Sequence, residues 1–368
     1  MRTLIMLTNN DYDDPFLHSQ LINVYKNNGF FDEMYLFCGQ TKPIIEPEIN
    51  LVDNFVQSKN KKKGFIKYYF AIIRILRSKN KETKIFHLRG FVSAFLFYFI
   101  PRGLKKGNYV YDPRGSFIYS LEETRFKKKS FLIRFLRRIE NNLIKNSFFT
   151  ILESKGLINQ MAKIYGHPEK YVLCYNATTF TDNSSLEQIK NKESINICYC
   201  GSVNHWHDID ELYRLFEYVN KLFNNKEVNN FLFTQKRNHE VVKERFQNFK
   251  NNLDIDFIPY NELEKKLQKM DICLSVVVPK KSTKITSPIK IADYVMLNKI
   301  VIANKGIGDF DDYFKKNNSA ILYDYQKKFN FVLHDIETVN VGKNEQIKKY
   351  FKLSTNKEII LSKIKNSF

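Results

Sequence analysis

The segment Lys284-Ile285-Thr286-Ser287-Pro288-Ile289-Lys290-Ile291-Ala292-Asp293-Tyr294 follows an apolar, strand-like run and opens a helical pattern. Pro288 suits a first helical turn, where a missing N–H costs nothing. Thr286 or Ser287 can cap that turn, and the amides left free there, at the positive end of the helix dipole, attract an anion. Lys284 and Lys290 add cationic charge on either side. A diphosphate fits such a start, and Asp293, about one turn further in, is placed to accept hydrogen bonds from a ribose diol. An ordinary capped helix with solvated lysines has the same spacing, so spacing alone leaves both readings open.

Other residues invite chemistry with less discrimination. Asp11-Tyr12-Asp13-Asp14 and Asp309-Phe310-Asp311-Asp312 have carboxylates at a spacing that can chelate Mg2+ or Mn2+. Aspartates after a strand more often close turns or cap helices, and capping is the expectation here, with no metal ligands assigned. His87-Leu88-Arg89-Gly90 and Asp112-Pro113-Arg114-Gly115 each end a strand-like run. His87, Arg89, Asp112 and Arg114 are therefore candidate catalytic residues, although a histidine at a strand end is as easily one satisfied by its surroundings.

The elements that must position these groups alternate. Short apolar runs at 3–8, 34–38, 84–88, 108–112 and 171–175 are separated by helical patterns at about 15–28, 64–79, 91–99, 124–145 and 154–165, the rhythm of a parallel α/β sheet. A polar stretch at 181–194 reads as a linker. A second alternation follows, with strands at 195–200, 230–234, 254–258, 272–277, 300–303 and 320–323 and helices at about 208–223, 238–249, 261–269 and 289–297. The expected organisation is an α/β chain of two Rossmann-like, doubly wound parallel-sheet domains: 1–180, a basic acceptor-side domain; the linker 181–194; 195–343, a donor domain; and a Lys-rich helix at 344–368. That last helix carries Ile347, Phe351, Ile359, Ile360 and Ile364 as one stripe, expected to pack back on the first domain. Open parallel sheets bind ligands beyond their strand ends, which places the expected site in the crevice between the domains.

Ser287 to Ala303 resembles the S-P-x-K-x-x-(E/D)-Y signature, closing on I-A, of family 4-like glycosyltransferases of the GT-B fold. Cys198-Tyr199-Cys200-Gly201-Ser202, followed by Trp206, looks like that family's Y-x-G-S strand and loop. Tyr165-Gly166-His167-Pro168 through Asn176-Ala177 looks like its Y-G segment ending in N-(A/G), and Asp112 to Gly115 resembles its D-x-R-G stretch. The match spans roughly residues 85–325. It implies transfer of a sugar with retention and without a metal or other cofactor, from a UDP- or GDP-sugar donor, in cell-envelope polysaccharide synthesis. It assigns Asp293 to the donor ribose and the helix start Thr286 to Lys290 to the diphosphate. Gly201 and Ser202 complete the implied donor side, with Tyr260 a further donor-side candidate, and a histidine at the position of His87 often contacts the sugar or the acceptor in relatives. Because the family's usual Arg and Lys are missing after the Gly-Ser loop, Arg237, Lys236, Lys284 or Lys290 must neutralise the phosphates instead. The sequence departs from the pattern in three places. Ile285 stands where many members carry a first glutamate, no Arg or Lys follows the Gly-Ser loop between Val203 and Leu212, and the loop from Thr8 to Asp11 lacks a glycine-rich turn.

Composition limits the alternatives. The 368 residues include 43% hydrophobic and 15% aromatic side chains, enough for packed cores. The net charge is +20, of which residues 51–150 supply +17 through 23 Lys and Arg against 6 Asp and Glu. Such charge suits a nucleic acid or an anionic membrane. The basic residues follow helical patterns rather than strands with interleaved aromatics, which argues against a nucleic-acid partner. No G-x-G-x-x-G follows the first strand, as a dinucleotide-dependent oxidoreductase would need. The basic helix around 59–79, with Phe65, Ile66, Tyr69 and Phe70 beside its lysines and arginines, is expected to dock on an anionic membrane. The partners expected are a nucleotide-sugar donor, a glycan or lipid-linked acceptor and that membrane surface. Phe91 to Ile100, the most apolar run, is roughly half the length of a spanning helix. With no signal-peptide pattern at the start, the expected location is the cytoplasm, peripheral on the inner face of the plasma membrane. The five cysteines form no C-x-x-C pair and read as buried thiols.

Overall fold

A computed structural model of the chain describes residues 2–8, 10, 17–26, 29–38, 50–51, 61–78, 83–105, 107–124, 130–181, 189–204 and 206–366. The cluster Asp11 to Asp14, Lys59, Lys79 and residues 182–188 of the expected linker lie outside these, as do the side chains of Lys61 to Lys67 within their helix.

Two compact units divide the chain, residues 1–175 with 353–368 and residues 176–352. The first contains a seven-stranded sheet of β1 (Arg2–Thr8), β2 (Glu33–Phe37), β3 (Asn50–Leu51), β4 (Thr83–Arg89), β5 (Asn108–Asp112), β6 (Thr150–Leu152) and β7 (Tyr171–Leu173), ordered β3-β2-β1-β4-β5-β6-β7. Every pairing is parallel. Parallel strands are covered on both faces, which is why β1 and β4 are buried over all but their first residue. The order reverses direction between β1 and β4, so Thr8, Arg89 and Asp112, which lie in register at the strand ends, border a topological switch point.

The second unit repeats the plan with six parallel strands: β8 (Ser194–Cys200), β9 (Glu227–Phe233), β10 (Leu253–Asp256), β11 (Ile272–Ser275), β12 (Ile300–Asn304) and β13 (Ile321–Tyr323). They are ordered β10-β9-β8-β11-β12-β13, with the switch between β8 and β11. The two sheets with their flanking helices are the Rossmann-like pair that the alternation of apolar runs calls for.

Local departures have physical causes. The helix expected at 124–145 is Phe131–Asn146, entered at Ser130, whose backbone is extended, and a separate, unexpected helix, Phe117–Thr124, precedes it. The expected tail helix is also two. Glu345–Phe351 ends at Lys352, also extended, and a second helix, Leu353–Lys365, follows. The apolar stripe splits there. Ile347 and Phe351 are buried in the second unit, where Phe351 packs on Phe310 with ring centres 5.0 Å apart, whereas Ile360, Leu361 and Ile364 join the core of the first around Leu4, Leu21 and Tyr25.

Candidate functional site

In the second unit the candidate donor segment lies at the β8/β11 switch point. The helix is Ile289–Met296, and its N-cap is Pro288, with no side chain capping it. The two residues expected to cap are engaged elsewhere. Thr286 Oγ1 donates to the Thr283 carbonyl at 2.8 Å, and Ser287 Oγ accepts from the Asn176 amide at 3.1 Å while the Ser287 carbonyl accepts from Asn176 Nδ2 at 2.5 Å. Asn176 therefore binds Ser287 from both sides and takes its hydroxyl out of capping. The first intrahelical bond runs from Ile291 to Pro288, so the amides of Ile289 and Lys290 precede it at the positive end of the helix.

Lys290 reaches from this turn to the end of β8. Its Nζ donates to Tyr199 Oη at 2.7 Å and lies 4.3 Å from the Tyr199 ring centre. Tyr199 Oη in turn donates to the Ser202 carbonyl at 2.9 Å. The lysine passes so close to Gly201 that a Cβ there would fall 2.3 Å from Lys290 Cε, and Gly201 itself has φ +146°. Burial lowers the Lys290 ammonium pKa to about 7. Its partner is a neutral phenol, and the neighbouring Cys200 thiol, pushed up by burial to about 12, stays protonated. The lysine is thus held at a helix start with no opposite charge paired to it among the described residues.

Asp293 is buried, and its Oδ1 has no hydrogen-bond partner among the described residues. Burial raises its pKa to about 7 and Glu264 pushes the same way, against a hydrogen bond from the Thr178 side chain. A buried, half-satisfied carboxylate is costly to fold and marks a place where a ligand can supply the missing donor. Tyr294 anchors the helix beside it: its hydroxyl accepts from the Cys200 amide at 3.0 Å and donates to the Leu274 carbonyl at 3.4 Å, joining the ends of β8 and β11.

The stretch from Asn176 to Thr181 straps the site. Besides the Ser287 bonds, Thr178 N donates to the Phe351 carbonyl at 2.9 Å, and Thr181 binds Glu264 through its amide and its hydroxyl, both at 2.8 Å. Tyr260 belongs to this strap: its hydroxyl is 3.2 Å from Thr179 Oγ1 and its ring stacks on Phe180 at 5.5 Å. Burial, followed by the nearby Asp293 charge, pushes the Tyr260 phenol up to about 12. Arg237 is exposed on the turn after β9, with no side-chain hydrogen bond or ion pair among the described residues, and Lys284 is exposed at the end of helix Lys281–Lys284. The structure therefore joins Gly201, Lys290 and Tyr199 in one cluster and Asp293, Thr178 and Tyr260 in another, and leaves Arg237 and Lys284 outside both. Beside the helix start, a small cavity lined by Ser275, Ser287, Ile291, Asn304 and Phe310 has enclosed room for about one water.

Asp311 does not cap helix Asp311–Asn317, whose N-cap is Phe310; its Oδ2 accepts from the Gly306 amide at 2.6 Å and ties down the loop after β12. Among the described residues no group of three His, Cys, Asp or Glu side chains converges as metal ligands would.

In the first unit His87, Arg89 and Asp112 form a buried polar cluster. Arg89 Nη1 donates to Asp112 Oδ2 at 2.8 Å. Burial alone would raise the Asp112 carboxyl, but Arg89, Arg114 and His87 together hold it well below the usual carboxylate range. It is therefore an acceptor only, which assigns the proton of His87 to Nε2, 3.5 Å from Asp112 Oδ2, and leaves Nδ1 to accept from Tyr25 Oη at 2.8 Å. Burial lowers the His87 pKa and keeps the ring neutral. Both ring nitrogens of His87 face internal partners. Arg114 is the partly exposed member, at φ +53°, with Nη1 donating to Gln20 at 2.9 Å and Nη2 3.9 Å from Glu153.

Tyr199, Tyr294, Asn176 and Thr178 are parts of the site to which sequence patterns assign no role. Tyr294 directly follows Asp293, and Tyr199 sits two residues before Gly201; each is an apolar-run residue whose hydroxyl partner lies far away in the chain.

No family model and no curated protein sequence matches the chain. Solved structures do. The lipopolysaccharide outer core galactosyltransferase WaaB in its apo form aligns over 100% of both chains at 12% identity and TM-score 0.66. Sucrose-phosphate synthase from Thermosynechococcus elongatus aligns over 100% of this chain and 99% of its own at 11% identity and TM-score 0.70. HepE from Anabaena, in complex with UDP-glucose, aligns over 100% of both at 12% identity and TM-score 0.68. The chain has the GT-B fold. In GT-B terms the first unit is the N-terminal Rossmann-like domain, completed by the C-terminal helix Leu353–Lys365, and the second is the C-terminal one.

The contact between Gly201 and Lys290 gives a direct test. Gly201→Ala should destabilise the protein by about 1–3 kcal/mol, because alanine at this φ is strained and its Cβ displaces Lys290 from Tyr199. Denaturant unfolding checks it, and a variant as stable as the parent would show that the close approach is not kept in solution.

Proposed function

We propose that the chain is a glycosyltransferase that moves a sugar from a UDP- or GDP-sugar to a glycan or lipid-linked acceptor in cell-envelope polysaccharide synthesis. The observation that carries this reading is the pairing, within one helical turn at a sheet switch point, of a lysine with no counter-charge among the described residues and a buried carboxyl whose Oδ1 has no donor among them. Lys290, with the amides of Ile289 and Lys290, meets the diphosphate, and Asp293 accepts from the ribose. The bound UDP-glucose of HepE, a protein of the same fold, is consistent with such a donor. Transfer proceeds with retention: the acceptor hydroxyl attacks on the face that the diphosphate leaves, and the helix start and Lys290 stabilise the charge growing on the leaving group. Arg114, the partly exposed member of its cluster, serves the acceptor side, and the buried His87, Arg89 and Asp112 hold that strand end in place beneath it, with Asp112 fixing the His87 tautomer. Incubation with a panel of nucleotide sugars, followed by mass spectrometry of the products, tests the proposal; donors left intact in the presence of envelope glycans and lipid-linked oligosaccharides would overturn it.

Because protein cations and helix amides carry the diphosphate charge in this reading, the reaction requires no metal, and turnover should survive EDTA. Loss of turnover on chelation, restored by Mg2+ or Mn2+, would refute that part. The acceptor reading places the first domain on the anionic inner leaflet of the plasma membrane as a peripheral protein. No helix among the described residues is long and apolar enough to cross a membrane.

A further inference from the structure

The connections β3 to β4, β4 to β5 and β5 to β6 all run the same way across the first sheet, so right-handed crossovers lay their helices on one face. Those helices are Lys61–Ser78, Phe91–Tyr98, Phe117–Thr124 and Phe131–Asn146. They are joined laterally: Tyr69 Oη donates to the Phe99 carbonyl at 3.1 Å, and Phe91, Ile118, Ile133 and Leu136 share a small core of their own. With that core filled from below, large aromatic side chains still stand outside it. Phe131 is 78% exposed, Phe70 62% and Phe99 50%, and Phe135 is exposed one turn after Phe131.

Cations share these helix faces. Phe70, Arg74 and Arg77 follow at i, i+4 and i+7 and are all exposed, as are Phe131, Phe135 and Arg138, with Arg134 beside them. Helix Lys61–Ser78 contains no carboxylate, and in helix Phe131–Asn146 the one acid, Glu140, is buried under Tyr111 and Tyr165. A protein interface is depleted of charge at its centre. The other carboxylates of these four helices lie on Phe117–Thr124, where the Glu122 side chain is buried against Arg137 and Glu123 is exposed, so the helices that carry these exposed rings present cations alone. Exposed aromatics among such cations suit a bilayer with anionic headgroups, where rings enter the acyl boundary and guanidinium groups meet phosphates.

We propose that the helical face carrying Phe70, Phe99, Phe131 and Phe135 with Arg74, Arg77, Arg134 and Arg138 is the surface by which the first domain docks on an anionic lipid bilayer. This gives residues to the membrane contact proposed above, and rests on that reading for the purpose of docking. The contact then combines insertion with charge attraction rather than relying on the lysines of residues 59–67 alone.

Flotation of the full chain with phosphatidylcholine vesicles, with and without phosphatidylglycerol, tests it, with UDP binding and thermal unfolding measured on the same samples. The parent should float with the anionic vesicles at low salt and not with the neutral ones. Phe131→Ser with Phe135→Ser should weaken vesicle binding by about tenfold or more without lowering the unfolding temperature, since both rings are exposed. Arg134→Glu with Arg138→Glu should weaken it and flatten its salt dependence. A parent that ignores anionic vesicles overturns the proposal, as does a doubly substituted Phe variant that binds as the parent does. In either case retained UDP binding leaves the donor reading standing, whereas vesicle binding without UDP binding removes the donor reading and keeps this surface.

Discussion

The affinity of the protein for UDP should fall by about tenfold for each pH unit above 7, and Lys290→Met should abolish both that dependence and most of the binding. Burial brings the Lys290 pKa to about 7, so the lysine loses its proton across the range where a diphosphate keeps its full charge. Only the ammonium form is matched to the ligand. Above pH 7 each binding event must first protonate Lys290, and calorimetry in buffers of differing ionisation enthalpy should read about one proton taken up per UDP at pH 8. Loss of a charge-assisted contact in the Met variant costs about 1.5–3 kcal/mol, or roughly 10–150-fold. Lys290→Arg keeps its charge at every pH and should give a flat profile. For the free protein the sign reverses. The unfolded lysine holds its proton to higher pH than the folded one, so this group contributes a rise in stability as pH climbs from about 7 towards the ordinary lysine value of 10.5. A UDP affinity constant from pH 7 to 9, with no proton uptake, would remove Lys290 from the diphosphate site.

The two sheets were readable because parallel strands, buried on both faces, leave continuous apolar runs such as Leu4 to Leu7, and the helices between them show one apolar face. Asn50–Leu51 and Thr150–Leu152 were not expected: the first is two residues long, and the second follows the helix Phe131–Asn146 so closely that its apolar residues do not stand apart as a run. Tyr171–Leu173 and Ile321–Tyr323, no longer, show in runs set off by polar neighbours. The tail shows a different gap. Periodicity puts Ile347, Phe351, Ile360 and Ile364 on helical faces, but it carries no information about which core each face meets, and here a break at Lys352 sends them to different ones.

The same distinction governs the site. Lys290 and Asp293 are legible from local spacing because a helix start needs only its neighbours. The depth at which they sit is not local: Lys290 is held by Tyr199 and Gly201 about 90 positions away, and Ser287 is drawn from capping by Asn176, 111 positions away. His87 ends a strand as expected, yet its neutrality follows from Tyr25 and Asp112, brought alongside only by the sheet order. Hydrogen bonds between distant residues leave no periodic trace, so burial and protonation were the features hidden from the sequence.

Asp293 should show opposite effects on stability and on binding. Its folded pKa, about 7, lies above the ordinary aspartate value of 3.8, so between those values the folded state holds a proton that the unfolded state has lost. The parent's stability should therefore fall as pH rises from about 4 to 7, by up to about 4 kcal/mol if the whole shift is expressed. Asp293→Asn removes the charge while keeping the shape, so the variant should match the parent near pH 4 and exceed it at pH 8, in denaturant unfolding without ligand. The carboxylate that costs stability is the one whose Oδ1 lacks a donor, and a ribose hydroxyl would supply it. Asp293→Ala should accordingly weaken UDP binding by about 1.5–3 kcal/mol, measured by calorimetry. Natural sites keep such strain where function needs it, and the test is that the two properties move in opposite directions. An Asn variant no more stable than the parent at pH 8 would mean that solvent or a partner already satisfies Asp293. Unchanged UDP affinity in a folded Ala variant would instead place the ribose elsewhere and leave the buried carboxylate as a cost that donor binding does not recover.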